Sequence, residues 1–314
     1  MRTVAVALLF LSACAANPDE PAPGRRVILT TFQPLFSFAR AVVAGDPGVE
    51  VWNLAPRKEG PHDFNLDDPA VGARCRPIVE KAEAVITLRS LPVAPAFDRL
   101  YPWCRVANLR IVEIDPSAQW EVGTPRLPLI ADPPDTARAR ERGEAKGPVP
   151  PNPHIWLSLS HAVRLVERIS NDIVTLDPTH RRFYWANTAR YQARLRALKA
   201  EFEKRLAGAD RVATLTEAFP YLTADFGLGV ADYILEPKDS AEVGERVRAA
   251  KVKVVLAEGE PEAKVRAAVE QAGAKVVVLR TLEAGWGEGE RVEPDGYLRG
   301  MRDNLEKLAG AFGL

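Results

Sequence analysis

Histidine is scarce in this chain, with four residues in 314, and cysteine is scarcer, with three. No two cysteines stand close enough to form the ligand pairs of a small zinc module. Charge of one sign is missing too: Lys plus Arg and Asp plus Glu each total 42. Without a basic field there is nothing to hold a phosphate backbone, so nucleic acid is excluded as a partner. No Gly-x-Ser-x-Gly turn and no phosphate-binding Gly-Lys-Ser/Thr loop occurs, and no catalytic residue or organic cofactor is expected. The chain does not read as an enzyme. Long apolar runs are also lacking. The longest at the N-terminus, Val4 to Leu11, falls well short of the roughly 20 residues that span a bilayer as a helix.

What that run does fit is export. Arg2 precedes it, and Leu11-Ser12-Ala13-Cys14 follows, with small residues before a cysteine. This is the pattern of a bacterial lipoprotein signal. Residues 1–13 are read as the signal peptide and 14–26 as a tether, lipidated at Cys14 and rich in Pro and charge. The protein is then expected outside the cytoplasm, as a monomer held to the membrane by its N-terminal lipid. Cys75 and Cys104 remain, either as a disulfide in an oxidising compartment or as two buried thiols.

The rest of the chain exceeds one comfortable core and suggests two domains. Val27–Thr31, Val49–Leu54 and Ala84–Leu88 read as strands; Leu35–Val43 and Asp68–Ala82 read as helices. Strands alternating with helices predict an α/β fold with parallel sheets. Residues 116–153, rich in Pro and charge, read mainly as a long surface loop. From Pro178 to Leu206 there is no glycine or internal proline, and Tyr184, Tyr191, Leu195, Leu198, Phe202 and Leu206 fall on one helical face. The alternation then resumes with Arg211–Leu215, Leu222–Phe226 and Val230–Leu235 as strands. Ser240–Ala250 and Glu262–Ala272 read as helices, with Val252–Ala257 and Val276–Leu279 as further strands. The expected organisation is an N-terminal lobe over 27–175, a single connecting helix over 176–207 and a C-terminal lobe over 208–314.

Two of the four histidines stand in matching contexts, Gly60-Pro61-His62-Asp63-Phe64 and Asn152-Pro153-His154-Ile155-Trp156-Leu157. Imidazole is the commonest neutral metal ligand, and the preceding proline restricts the backbone that presents it. His161 and His180 lie in helical contexts and read as surface residues. The Pro-His segments resemble those of the solute-binding proteins of bacterial zinc and manganese ABC transporters. The resemblance continues through Val27-Ile28-Leu29-Thr30-Thr31-Phe32-Gln33-Pro34-Leu35, Asp177-Pro178 with Tyr184, Asn187 and Tyr191, and Ala218-Phe219 with Tyr221-Leu222. It ends at Tyr297 and Asn304-Leu305.

That resemblance implies two parallel-sheet lobes joined by one long helix, with a divalent metal, Zn²⁺ or Mn²⁺, captured between the lobes and handed to an ABC permease. It implies His62 and His154 as ligands. At the third ligand position this sequence has Thr216, with Glu217 beside it as the candidate donor. At the fourth, where the family has Asp, stands Arg280. Guanidinium has no acceptor and cannot ligate a cation, so Arg280 would repel a metal or pair with Glu217. Glu283 can substitute only if the loop is rebuilt, and Glu258 resembles a family segment that is structural more often than ligating. A site with three protein ligands at most, completed by water, is expected. The alternative is a degenerate relative with weak or no metal binding, kept as a surface interaction or adhesion lipoprotein.

Overall fold

The computed structural model describes residues 24–55, 68–88, 100–133, 151–284 and 295–314. In the N-terminal lobe, β1 (Arg26–Thr30), α1 (Gln33–Val42), β2 (Val49–Asn53), α2 (Pro69–Lys81), β3 (Ala84–Leu88), α3 (Leu100–Val106) and β4 (Arg110–Ile114) follow one another. All pairings are parallel, in the order β2-β1-β3-β4. The C-terminal lobe repeats the scheme with β5 (Arg211–Thr214), α6 (Pro220–Asp225), β6 (Gly229–Tyr233), α7 (Ser240–Ala250), β7 (Val254–Ala257), α8 (Ala263–Gln271) and β8 (Lys275–Val278). Its sheet runs β6-β5-β7-β8, again parallel. Between the lobes lie α4 (Leu159–Leu176) and α5 (Arg181–Arg205), and the C-terminus is α9 (Gly296–Phe312).

The strands read as nearly continuous apolar runs because each face of each sheet is covered. Alternate residues point to opposite faces. Val27 and Leu29 of β1 enter an outer cluster with Cys75, Ile78 and Cys104, whereas Ile28 enters the inner core. In the second lobe Val255 of β7 packs outward with Val243 and Val269, while Val254 and Leu256 pack inward. The inner cluster is shared: it runs from Ile28 and Ile86 through Leu165, Ile169, Leu195 and Phe202 to Leu256 and Leu305. One apolar core therefore spans both lobes, which opposes hinge bending between them.

α5 is 25 residues long, or about 38 Å at 1.5 Å per residue. A one-turn 3₁₀ segment at Pro178–His180 precedes it and another at Leu206–Gly208 follows. Its polar flank is braced to the last helix and its lead-in by Arg194–Asp295, Arg302–Glu201 and Arg205–Glu306. These are exposed pairs, screened by solvent, and they position the helices more than they stabilise them. Among the described residues, no helix is long and apolar enough to cross a membrane.

Several elements depart from the sequence reading. α4 was anticipated only as the helical context of His161 and was given no bounds, although Ser158 caps it by accepting from the His161 backbone amide and its apolar residues line one face. Leu222–Phe226 is not a strand: Pro220 at the first helical turn starts α6, and Tyr221 and Leu222 are buried by it. α3 and β4 also went unassigned. Residues 116–133 and 151–153 are not simply surface: Leu127, Asp132 and Asn152 are buried, and Ala131 bridges Pro151 in antiparallel fashion. His161 is buried rather than exposed, and His180 is exposed. Cys75 and Cys104 share the outer cluster as thiols, without a disulfide, and burial pushes the Cys104 thiol up to about 11.

Candidate metal centre

In parallel sheets ligands collect beyond the carboxyl ends of strands, where the strand order reverses. In the C-terminal lobe that reversal lies between β5 and β7. Thr216 and Glu217 follow β5, Glu258 follows β7, and Thr281 and Glu283 follow β8. The turn carrying His154 meets these ends from the other side.

That turn is held by its asparagine. Asn152 is fully buried, and its amide makes four hydrogen bonds. Nδ2 donates to Asp132 Oδ1 and to the Glu217 carbonyl, each at 2.9 Å. Oδ1 faces the His154 backbone N–H and His154 Nδ1, each at 3.0 Å. With Nδ2 committed to two acceptors, Oδ1 is the acceptor toward the ring, so Nδ1 carries the proton. In the neutral ring Nε2 is then the lone-pair nitrogen. Such an outer hydrogen bond is how a ligating histidine is oriented.

His154 Nε2 lies 3.1 Å from Glu283 Oε1, and both side chains are buried. A lone-pair nitrogen and a carboxylate oxygen are two acceptors, and that separation needs a proton or a metal cation between them. The backbone explains how Glu283 arrives there. Leu282 has a φ of +61°, a left-handed conformation that costs a residue with a Cβ about 1–2 kcal/mol. It reverses the chain immediately before Glu283, whose carbonyl accepts from the Gln33 amide of the other lobe.

Arg280 is exposed, and its backbone N–H and carbonyl are both taken by the Asn304 side chain of α9. Thr216 is buried, and its hydroxyl donates to Glu258 Oε2 at 3.5 Å. Glu217 is half-buried. Glu258 stands on an exposed turn, but its carboxyl end is closely surrounded. Loss of solvent raises its pKa, Glu283 and Glu217 add to that, and His154 and the Thr281 hydroxyl oppose it. Trp156 lies under the turn, with its ring edge-on to His154 at 5.4 Å and its indole N–H donating to the Thr281 carbonyl. His62 lies outside the described residues, as do Cys14 and residues 134–150 of the long loop.

Among the described residues, one trio brings His and carboxylate atoms within 4.8 Å of one another: Asp46, Asp177 and His180. Its charge is already met. His180 Nδ1 lies 2.7 Å and Arg26 Nη1 3.4 Å from Asp177 Oδ2, and the Tyr184 hydroxyl donates to the carboxylates. The group fastens β1 and α1 to the junction of α4 and α5.

Comparison with known proteins agrees with this architecture. Residues 28–311 match the family described as ZnuA, zinc-uptake complex component A, periplasmic. The zinc-binding lipoprotein AdcA of Streptococcus pneumoniae serotype 4 is 26% identical over 310 residues, covering 96% of this chain and 58% of AdcA. The zinc-binding protein AdcA of Streptococcus pyogenes serotype M3 is 24% identical over 306 residues, covering 91% and 56%. The chain thus spans little more than half the length of the curated relatives it matches. The solute-binding protein FpvC of Pseudomonas aeruginosa, solved with Mn²⁺, is similar at a TM-score of 0.69 and 25% identity, covering 92% of this chain and 99% of FpvC. The lipoprotein YcdH of Bacillus subtilis shares the fold at a TM-score of 0.65 and 23% identity, covering 91% and 99%. With almost its whole length matched in one register, the chain belongs to the ZnuA family of zinc-uptake components.

Proposed function

We propose that this protein is an exported solute-binding lipoprotein that captures a divalent metal, Zn²⁺ or Mn²⁺, and delivers it to an ABC transporter permease. The observation that carries the reading is the buried His154–Glu283 pair, with the histidine proton held on the far nitrogen by Asn152. The ion is cargo. His154 supplies neutral nitrogen, Glu283 supplies negative charge, and His62 and Glu217 complete the ligand set. Such a mixed N/O set suits Zn²⁺ or Mn²⁺. No substrate is turned over, so the protein acts as a carrier and not as an enzyme.

Cys14 is the site of lipidation, and the segment up to Arg26 is the tether. The chain works as a monomer with one lobe on each side of the ion, divided near 27–175 and 208–314 by the helical spine. An extended tether of thirteen residues reaches at most about 45 Å, enough to keep the protein beside a permease and to make weak docking effective.

The alternative of a metal-free surface interaction protein drew its support from Arg280 facing the ion. Arg280 is exposed and its backbone is bound to Asn304, which favours the metal-carrier reading over that one. Titrating the metal-stripped full chain with Zn²⁺ and Mn²⁺, beside His62→Ala/His154→Ala, tests the metal role. The wild type should bind and the double variant should not. Equally weak binding by both would refute it.

A further inference from the structure

In a chain whose charges balance, α5 is one-sided. From Arg181 to Ala200 it carries six Lys and Arg residues and no Asp or Glu. One face packs into the shared core. On the opposite face Arg182, Trp185, Ala189, Ala193, Arg196 and Ala200 follow at helical intervals of three and four. All six are exposed, and together they run along about 27 Å of surface. Trp185 is 50% exposed. On the flanks, Arg194 and Lys199 already have acidic partners in Asp295 and Glu203. Arg182 and Arg196 form no ion pair among the described residues. The alanines between them leave no long side chain to hold a flat partner away.

The chain enters the fold at the same end. Arg26, the first residue of β1, donates from Nη1 to the Leu176 carbonyl at 3.2 Å and lies 3.4 Å from Asp177, just before the 3₁₀ turn that leads into α5. At its other end α5 passes through a second 3₁₀ turn into β5. It therefore runs along the side where strands of both lobes begin, whereas the metal centre lies where they end. Arginine pairs with phosphate oxygens, and indole settles at the headgroup level of a bilayer. We propose that the outer face of α5 docks on anionic phospholipid headgroups of the bilayer that holds the anchor, an inference that rests on the lipidated tether of the proposed function. Docked in this way, the protein directs its metal centre away from the bilayer and must lift off to meet a permease. Weak attraction suffices, because the tether keeps the local concentration high.

The test places the full chain, purified with its lipid, on vesicles of phosphatidylcholine alone or mixed with phosphatidylglycerol. Brominated acyl chains in both report any tryptophan that reaches the bilayer by quenching it. Wild type should be quenched on the mixed vesicles and much less on phosphatidylcholine, and added salt should reverse the effect. Trp185→Phe should lose that quenching. Arg182→Gln/Arg196→Gln should lower the ratio of docked to undocked protein about fivefold for each arginine. These side chains are exposed, so the variants should keep the wild-type urea midpoint. Quenching that ignores lipid charge, or that persists in full in Trp185→Phe, overturns the proposal. So does a lipid-free dimer on gel filtration that the arginine variant abolishes, since the face would then serve a second copy. Protein that fails to float with phosphatidylcholine vesicles carries no lipid, which overturns the anchor instead. Its quenching on phosphatidylglycerol vesicles still decides for or against α5.

Discussion

The indole N–H of Trp156 donates to the carbonyl of Thr281 at 2.7 Å, joining segments 125 residues apart in sequence. Trp156 is two residues beyond His154, and Thr281 is two before Glu283. This one bond therefore sets the distance between the two side chains that face each other in the site. The Phe32 ring, 4.8 Å away and edge-on, and the Tyr297 hydroxyl, which donates to the Trp156 carbonyl, hold the indole from the other sides.

Trp156→Phe should therefore harm stability and binding together. It removes a buried donor and leaves the Thr281 carbonyl without it, an effect of about 1–3 kcal/mol. A urea midpoint measured beside a metal titration checks this. Unchanged metal affinity in a destabilised variant would mean that the register of the two loops does not depend on the indole.

Asn152→Ala should weaken metal binding about 10- to 100-fold, because the ring of His154 loses its orienting partner. The ¹⁵N shifts of His154 give a second reading. In the wild type Nδ1 should be the protonated nitrogen of the neutral ring, and in the variant the two tautomers should mix. A variant that keeps the Nδ1-protonated form would place the control elsewhere.

Arg280→Asp should change metal affinity by less than about 1 kcal/mol, the ordinary scale for an exposed charge. The backbone of residue 280 is fixed by Asn304, so the new carboxylate stays at the rim. A large gain in affinity on titration would instead show that residue 280 faces the ion.

His161 predicts an acid sensitivity. Burial lowers its pKa below the ordinary 6.5, against the opposing pull of Asp225 and the Ile155 carbonyl and with a smaller push from Arg164. Its ring packs on Tyr221 at 5.2 Å. The unfolded chain takes up the proton first, so the contribution to stability is whole above 6.5 and is lost as the pH falls toward the folded-state pKa. Urea midpoints from about pH 7 to about pH 5 should fall, and His161→Gln should flatten that slope. An equally steep slope in the variant would assign it to other groups.

The fold was legible in the sequence wherever burial on both faces wrote continuous apolar strands, as at Ala84–Leu88, and wherever a long face repeated, as from Tyr184 to Phe202. It was less legible where tertiary context decides. The short run at Leu222 reads as strand by composition, but Pro220 and the packing of Tyr221 make it helix. Asn152 was visible only as part of a motif, because its role lies in contacts with Asp132 and Glu217. Glu283 was visible only as a conditional substitute, for a related reason. Position along the chain pointed to Arg280, and nothing in the letters Thr-Leu-Glu announces that Leu282 turns left-handed and brings the carboxylate inward.

The most direct test is crystallographic: anomalous diffraction at the zinc edge from crystals of the full chain grown with Zn²⁺. The ion should lie between His154 Nε2 and Glu283, at about 2.0–2.2 Å from each donor atom. An ion seated instead at Asp46, Asp177 and His180, or none in either place at saturating zinc, would contradict the metal centre described here.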